Sequence, residues 1–198
     1  MCILPITFFV KIWYNYYVDW LVERKGVQVL FSIGDKIVYG SEGVYYVADY
    51  TSSPIDKNDK RQFYVLKPVH GPAGNVILTP VDNINVKMRK VMDRAAALAF
   101  IEKIPSVELL TVEKEKDRRE LYKTTLASGS CEDYIAIIKT VHVRREEFLR
   151  AKKRLAESDN DYEKKSKFCL YGELAVSLGE EMCEVERMIE SIIAPVEA

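Results

Sequence analysis

The sequence contains little of what enzymes use for chemistry. It has two histidines, His70 and His142, among 198 residues. His70 lies in a loop rich in glycine and proline, and His142 lies in a helical stretch without a second ligand at metal spacing. There is no glycine-rich phosphate loop and no G-x-S-x-G motif. We therefore expect a non-enzymatic protein with no catalytic residue, no metal site and no cofactor.

Paired cysteines and long apolar runs are also missing. The four cysteines are scattered without C-x-x-C spacing, which is typical of reduced thiols in a cytoplasmic protein. The apolar stretch Cys2–Val10 is interrupted by Lys11, Asn15 and Asp19, whereas a transmembrane helix needs about 20 mostly apolar residues. A secretory signal would need a basic start and a small-residue cleavage site. The sequence thus predicts neither a membrane span nor a secretion signal.

Residues 1–30 differ in character from the rest and read best as a mis-assigned leader. Arg24-Lys25-Gly26-Val27 is what a purine-rich ribosome-binding sequence would encode, and Leu30 then corresponds to a start codon that is decoded as Met. The alternative is an interfacial membrane anchor, because Trp13 and Trp20, the two tryptophans of the chain, are suited to a membrane surface. Such a helix also needs a strongly polar face, and this segment has few polar residues to form one.

The net charge of −1 conceals an uneven distribution of charge along the chain. From Lys114 to Arg154 there are 12 basic and 7 acidic residues, whereas from Glu157 to Ala198 there are 4 basic and 11 acidic ones. A positive block followed by a negative block favours a surface that meets a polyanion. Two solvated helix faces of opposite sign would produce the same pattern, so charge alone leaves both interpretations open.

Residues 31–86 are predicted to form a small β domain. Short runs rich in Val, Ile and Tyr alternate with turn residues such as Gly34-Asp35 and Gly40-Ser41-Glu42-Gly43. The predicted strands are Lys36–Tyr39, Val44–Tyr50, Gln62–Lys67 and Val76–Val81. Four or five short strands within about 55 residues suit a strongly bent barrel of the SH3 or Tudor type.

Residues 90–195 are predicted to form a helical bundle, which makes the fold class α+β. Asp93 caps a first helix with Leu98 and Ile101 on one side, and a second run covers Lys114–Ser128. Ser130 and Asp133 begin a long third helix. Two more helices follow at Tyr162–Leu178 and about Glu180–Ile193. The apolar positions predicted for the last three helices are Tyr134, Ile137, Ile138, Val141, Phe148 and Leu149, then Phe168, Tyr171, Leu174, Ala175 and Leu178, then Val185, Met188, Ile189 and Ile192.

An ordered set of short segments resembles the CarD/CdnL family of bacterial transcription regulators. The segments are Phe31-Ser32-Ile33-Gly34-Asp35-Lys36-Ile37-Val38-Tyr39-Gly40-Ser41-Glu42-Gly43-Val44, then Phe63-Tyr64-Val65-Leu66-Lys67, Pro80-Val81-Asp82-Asn83, Arg118-Arg119-Glu120-Leu121-Tyr122-Lys123 with Leu126-Ala127-Ser128-Gly129, the stretch from Ile137-Ile138-Lys139 to Arg144-Arg145, and Leu170-Tyr171-Gly172-Glu173-Leu174-Ala175. The resemblance extends from Phe31 to about Ile193. No single segment is diagnostic, but the ordered set is fairly specific.

The resemblance implies two contacts. In this family a Tudor-like domain pairs strand to strand with the RNA polymerase β subunit, and a helical domain contacts promoter DNA at the upstream edge of the transcription bubble and stabilises the open complex. An exposed sheet edge offers unpaired backbone groups for such pairing. The expected docking strand is Val76, Ile77, Leu78 and Thr79. Leu78 occupies a position that is often basic in the family, so no ion pair to polymerase is expected there.

The expected DNA-facing residues are basic and lie in the second and third helices and just beyond them. They contact phosphates without reading sequence. They are Lys114, Lys116, Arg118, Arg119, Lys123, Lys139, Arg150 and Arg154. Arg145 and Lys152 fall beside the apolar stripe of the third helix, where they pair with acids or extend along the surface.

Family members commonly insert a tryptophan into the minor groove just before the basic helix, and this chain has none there. The matching stretch Leu109–Lys116 offers only Leu109, Leu110 or Val112 as an aliphatic wedge. Tyr122 is the nearest ring, and we expect it to pack between helices.

We expect the protein to be a monomer. The alternative function is an adaptor whose β domain holds another protein without any DNA contact.

Overall fold

The computed structural model describes residues 31–52, 61–72, 74–112 and 114–194. The leader predicted at residues 1–30, including its proposed start at Leu30, lies outside these ranges. Within them the order of elements is five strands followed by five α-helices. The predicted α+β class is therefore confirmed.

The five strands form one antiparallel sheet. They are β1 (Lys36–Tyr39), β2 (Val44–Ser52), β3 (Gln62–Pro68), β4 (Ile77–Pro80) and β5 (Met88–Lys90). Their spatial order is β4-β3-β2-β1-β5, and the ladder shifts at a bulge between Val47 and Asp49. The four predicted strands are observed to within two residues at each end. The three-residue strand β5 was not predicted.

The sheet is open in the described part of the chain. β4 pairs with β3 and β5 pairs with β1, and no ladder joins β4 to β5 there. A closed barrel of the SH3 or Tudor type is therefore not observed, although the β2 bulge bends the strand as such folds require. The sheet thus has two edges, β4 and β5.

The helices are α1 (Arg94–Lys103), α2 (Glu115–Ala127), α3 (Cys131–Arg150), α4 (Glu157–Leu178) and α5 (Met182–Ile193), with a 3₁₀ turn at Ile104–Ser106. The Asp93 side chain accepts a hydrogen bond from the Ala96 N–H, and the Ser130 side chain accepts one from the Asp133 N–H. Both predicted N-caps are confirmed.

The helices and the sheet each have an apolar core. The helical core is built around Tyr134, Ile138, Leu170, Leu174 and Ile189, all fully buried. The sheet core includes Ile37, Val47, Tyr64 and Leu66. No helix in the described ranges is both long and apolar enough to cross a membrane.

Four predicted apolar positions are more exposed than their spacing indicates. Leu98 is 45% exposed, because α1 turns Ala97 and Phe100 inward instead. Leu149 is 62% exposed, because the last turn of α3 extends beyond the core. Met188 and Phe168 are each 37% exposed, and the Phe168 ring lies over Gly43. Gly43 has a φ of 106°, and a Cβ there would lie 2.8 Å from the ring, so glycine is required for this approach.

Candidate functional site: a free sheet edge and a basic helical surface

The predicted docking strand lies at an edge of the sheet. β4 pairs on one side with β3, in a register that aligns Leu78 with Val65 and Thr79 with Tyr64. Val76 and Leu78 are 44% and 43% exposed, whereas Thr79 is 1% exposed and its hydroxyl accepts a hydrogen bond from Asn83. Val76 precedes the strand, and its N–H donates to Gly74. Thus Ile77 and Thr79 belong to the sheet core side, and Leu78 points away from it.

The hydrogen-bond alternation of the ladder identifies which backbone groups of β4 face outward. The Val81 N–H donates to the Gln62 carbonyl oxygen at 2.9 Å. In an antiparallel pair, hydrogen-bonded and non-hydrogen-bonded residues alternate. The backbone groups of Ile77 and Thr79 therefore point to β3, and those of Leu78 point to the free side. Pro80 has the same orientation as Leu78 but has no N–H to offer.

The opposite edge, β5, is covered by the helical region. Nη2 of Arg89 on β5 donates to the Gly129 carbonyl oxygen at 3.3 Å and to Oε2 of Glu173 on α4 at 2.7 Å. Just after β5, the Met92 N–H donates to Glu173 Oε1 at 3.2 Å. Val38 and Val44 of β1 and β2 are also buried, and α4 contacts β2. The described part of the chain thus leaves β4 as its uncovered sheet edge.

This arrangement, a small antiparallel sheet with one free edge followed by helices, agrees with the outcome of comparison with known families. The family model of the CarD-like/TRCF RID domain matches residues 31–92. Residues 31–92, hereafter the RID domain, are similar to this family. The match supports a CarD-like assignment for residues 31–92, and the matched family is a protein-interaction domain of transcription factors and not a known enzyme family. No curated protein matches the chain.

The RID domain ends just before α1, so the predicted DNA-facing residues all lie beyond it. Three of them, Lys114, Lys116 and Arg119, are exposed around the first turns of α2. Lys123 is exposed one turn further along, 4.0 Å from Glu120 in an ion pair that is about 70% exposed on both sides. Exposed pairs of this kind contribute little to stability. These four cations are available to a polyanion.

Arg118 lies inside the protein instead. Its side chain is 5% exposed, and its Nη2 lies 3.1 Å from Oδ1 of Asp159, which is fully buried. Arg144 of α3 lies 3.4 Å from the other oxygen of the same carboxylate. An arginine in this environment holds three helices together and has no free face for DNA. The helical periodicity of α2 turns Arg118 inward, next to the buried Tyr122.

Lys139 is also engaged within the fold. Its Nζ donates to the carbonyl oxygens of Ile104 and Pro105 at 3.0 Å each, and to that of Val107. Burial lowers the pKa of its ammonium group. Three carbonyl acceptors match the three donors of a lysine, so this partly buried side chain stabilises the turn after α1 and its donors are already engaged.

The end of α3 carries further exposed cations. Arg150 and Arg154 are exposed as predicted, and the structure adds Lys152 and Lys153, which the helical wheel did not assign to a DNA surface. Lys152 adopts a φ of 53°, in the left-handed region, and the Lys153 N–H donates to Phe148 as the helix ends. This is the geometry of a C-terminal cap that usually contains glycine. In the sequence, the signal for these additional cations is the basic composition of the turn, Ala151-Lys152-Lys153-Arg154.

The cations of α2 and those after α3 lie at the same end of the helical region. Arg118 at the start of α2 and Arg144 near the end of α3 both contact Asp159 in the first turn of α4. Nearby, Arg145 pairs with Glu163, as its position beside the apolar stripe predicted. We define the basic end as the exposed cations around this junction: Lys114, Lys116, Arg119, Arg150, Lys152, Lys153 and Arg154.

The segment before α2 presents one exposed aliphatic residue. Leu109 is 41% exposed, whereas Leu110 and Val112 are half-buried and the Leu110 N–H donates to Thr140 Oγ1 at 2.8 Å. Tyr122 is fully buried and meets Tyr162 edge to face at 5.6 Å, which confirms its predicted packing role. Of the three aliphatic candidates for a wedge, Leu109 is therefore the accessible one.

The two histidines lie in separate surroundings. His70 Nε2 lies 3.2 Å from the Gly172 carbonyl oxygen, where the RID domain meets α4, and His142 is on α3. Within the described ranges, no group of three or more His, Cys, Asp or Glu side chains could hold a metal ion.

Proposed function

We propose that this chain is a transcription regulator whose β4 edge pairs with a strand of the RNA polymerase β subunit while its basic end contacts promoter DNA near the transcription bubble and stabilises the open complex. The CarD-like RID domain supports the coarser statement, that the protein is transcription-related and interacts with RNA polymerase. The free β4 edge is the observation that supports strand addition.

The edge suits strand addition because its exposed part is short and apolar. A partner strand would bond to the outward N–H and C=O of Leu78, and its side chains would lie beside Leu78 and Val65 on the same sheet face. No charge projects from Val76 or Leu78. The affinity therefore comes from backbone pairing and apolar contact, and we expect it to depend weakly on salt.

The basic end suits a phosphate backbone better than a particular base sequence. Its seven cations lie at the start of α2, at the last residue of α3 and on the turn that follows. The charged groups beneath them are already paired: Arg118 and Arg144 with Asp159, and Arg145 with Glu163. Lysine and arginine in such positions neutralise phosphates and release counterions, which makes binding steeply salt-dependent. We expect DNA binding that is weak and tolerant of sequence.

Affinity purification of the tagged full chain from its native cytoplasm tests the proposal. We expect RNA polymerase to co-purify, and crosslinking to place the β subunit next to β4. Recovery of a different protein through β4, with no polymerase and no DNA binding by the basic end, would instead support the adaptor function and contradict the proposal.

A further inference from the structure

A single buried carboxylate joins the RID domain to the helical region. The Glu173 side chain on α4 is 0% exposed, and Arg89 of β5 forms a two-point ion pair with it. Glu173 also accepts hydrogen bonds from the Met92 N–H and from the Cys131 thiol, each at 3.2 Å. The linker after β5, the start of α3 and the edge of the sheet thus converge on one side chain of α4.

The partners occupy the acceptor capacity of that carboxylate, which has about four lone-pair positions. Burial opposes the charge on Arg89, but hydrogen bonding and charge from Glu173 raise the pKa of its guanidinium above the ordinary value. The same guanidinium donates to the Gly129 carbonyl oxygen at 3.3 Å. The Arg89 side chain is 40% exposed, so the buried charge at this junction is that of Glu173, which is 0% exposed. Any rotation of the sheet against the helices would leave this buried carboxylate unpaired, which is costly in a low-dielectric interior.

Within the described ranges, the other hydrogen bonds and ion pairs between the two parts are neutral or exposed. Tyr134 Oη donates to the Gly40 carbonyl oxygen at 3.3 Å, and the Cys169 thiol donates to that of Ser41 at 3.2 Å. Lys165 and Glu42 form a pair at 2.8 Å that is 41% and 52% exposed. An exposed pair can lose its contact to water at little cost. The orientation of the two parts therefore depends most on Arg89 and Glu173.

We propose that the Arg89–Glu173 pair is a positioning element that fixes the direction from the β4 edge to the basic end. Its consequence for transcription rests on the proposed function: a chain docked on polymerase through β4 would present its basic end to DNA in one orientation. Buried ion pairs contribute little net stability compared with neutral replacements of similar shape, and a specific arrangement is the benefit that they can provide.

The test measures the distance between the two parts in the full chain. The exposed Lys67 on β3 and Lys153 after α3 are each replaced by a ketone-bearing amino acid. A spin label is attached to each ketone, and double electron–electron resonance measures the distance between the two labels. We compare wild type with Arg89→Gln/Glu173→Gln, which removes both charges but keeps amide donors and acceptors at the site. Glu42→Gln/Lys165→Gln is the matched control, because it removes an exposed pair across the same interface.

We expect one narrow distance distribution for wild type and for the control, and a broad one for Arg89→Gln/Glu173→Gln at unchanged helical content. The Cys131 thiol, whose pKa burial raises, should also become accessible to alkylation in that variant. A folded double variant with the narrow wild-type distribution and a protected Cys131 would overturn the proposal. If the double variant unfolds, Glu173→Gln alone is compared in the same way.

A functional measurement separates this inference from the proposed function, because the distance measurement needs no polymerase. We expect the double variant to bind polymerase and free DNA as wild type does, while it loses the lengthening of open-complex lifetime. Wild-type lengthening by a variant with a broad distribution would overturn the positioning role. A wild type that binds no polymerase would contradict the proposed function and leave the distance result intact.

Discussion

The Arg118 guanidinium and the Asp159 carboxylate form an ion pair that is buried on both sides, with 3.1 Å between Nη2 and Oδ1. The neighbouring residue Arg119 is exposed. Two consecutive arginines of the same basic run therefore have different functions in the structure. Arg118 connects α2 to α4, and Arg119 belongs to the basic end.

This contrast predicts that alanine substitution of Arg118 affects stability, whereas alanine substitution of Arg119 affects DNA binding. Arg118→Ala should lower the free energy of unfolding by about 2–4 kcal/mol, because it leaves a buried carboxylate with only part of its compensation. Arg119→Ala should change it by less than about 0.5 kcal/mol but lower the slope of log K against log salt for DNA by about 0.9 for each lost phosphate contact. Urea denaturation and salt titrations of DNA binding measure both. A stable Arg118→Ala protein with a reduced slope would return Arg118 to the DNA surface.

Much of the fold was predictable because local patterns determine it. Asp93 and Ser130 cap helices through their own side chains, and the alternating strands are visible in residues 36–81. The start of α4 was predicted at Tyr162 but lies at Glu157, because its first turn buries the polar Asp159. The inward positions of Arg118 and Lys139 depend on partners 41 and 32–35 residues away in the chain. Helical periodicity places Arg118 on the same side of α2 as Tyr122, but it contains no information on such long-range pairing. The contacts that engage these two cations within the fold could therefore not be predicted.

Lys139 provides a second test of this distinction. Lys139→Met keeps much of the aliphatic stem but removes the donors to three carbonyl oxygens after α1, so we expect a loss of about 1–3 kcal/mol in unfolding free energy. DNA affinity at fixed salt should stay at the wild-type value once the protein is folded. Lys123→Met, at an exposed position, is the control for stability. Equal stability of the two variants would show that the Lys139 contacts do not hold the turn.

The left-handed backbone at Lys152 predicts a stabilising substitution. Glycine adopts a φ of 53° without the steric cost that a side chain imposes, so Lys152→Gly should raise the unfolding free energy by about 0.5–1 kcal/mol. Lys153→Gly removes the same charge without relieving a positive φ, and it should be neutral or destabilising. Thermal denaturation of the pair gives the comparison. A gain for Lys153→Gly equal to that for Lys152→Gly would attribute the effect to charge.

The exposed Leu109 leads to a prediction about open-complex lifetime in comparison with relatives that carry a tryptophan wedge. An aliphatic side chain stacks less well in an opened base step than an indole ring, so Leu109→Trp should lengthen the open-complex lifetime on promoter DNA. Leu110→Trp is the matched control, because Leu110 is half-buried and its N–H is bonded to Thr140. A lifetime that Leu109→Trp leaves unchanged would show that this segment does not enter the groove.

The central claim is that β4 docks by backbone pairing, and the outward Leu78 N–H allows a direct test. Leu78→Pro removes that donor without removing a bond to β3, whereas Ile77→Pro removes a donor inside the sheet and should destabilise the RID domain. Leu78→Ala controls for the lost side chain and keeps the N–H. The decisive measurement is the dissociation constant of each folded variant for the isolated polymerase β subunit. The proposed mechanism predicts at least tenfold weaker binding for Leu78→Pro than for Leu78→Ala, corresponding to about 1.4 kcal/mol. Equal binding of the two variants would contradict strand addition at β4.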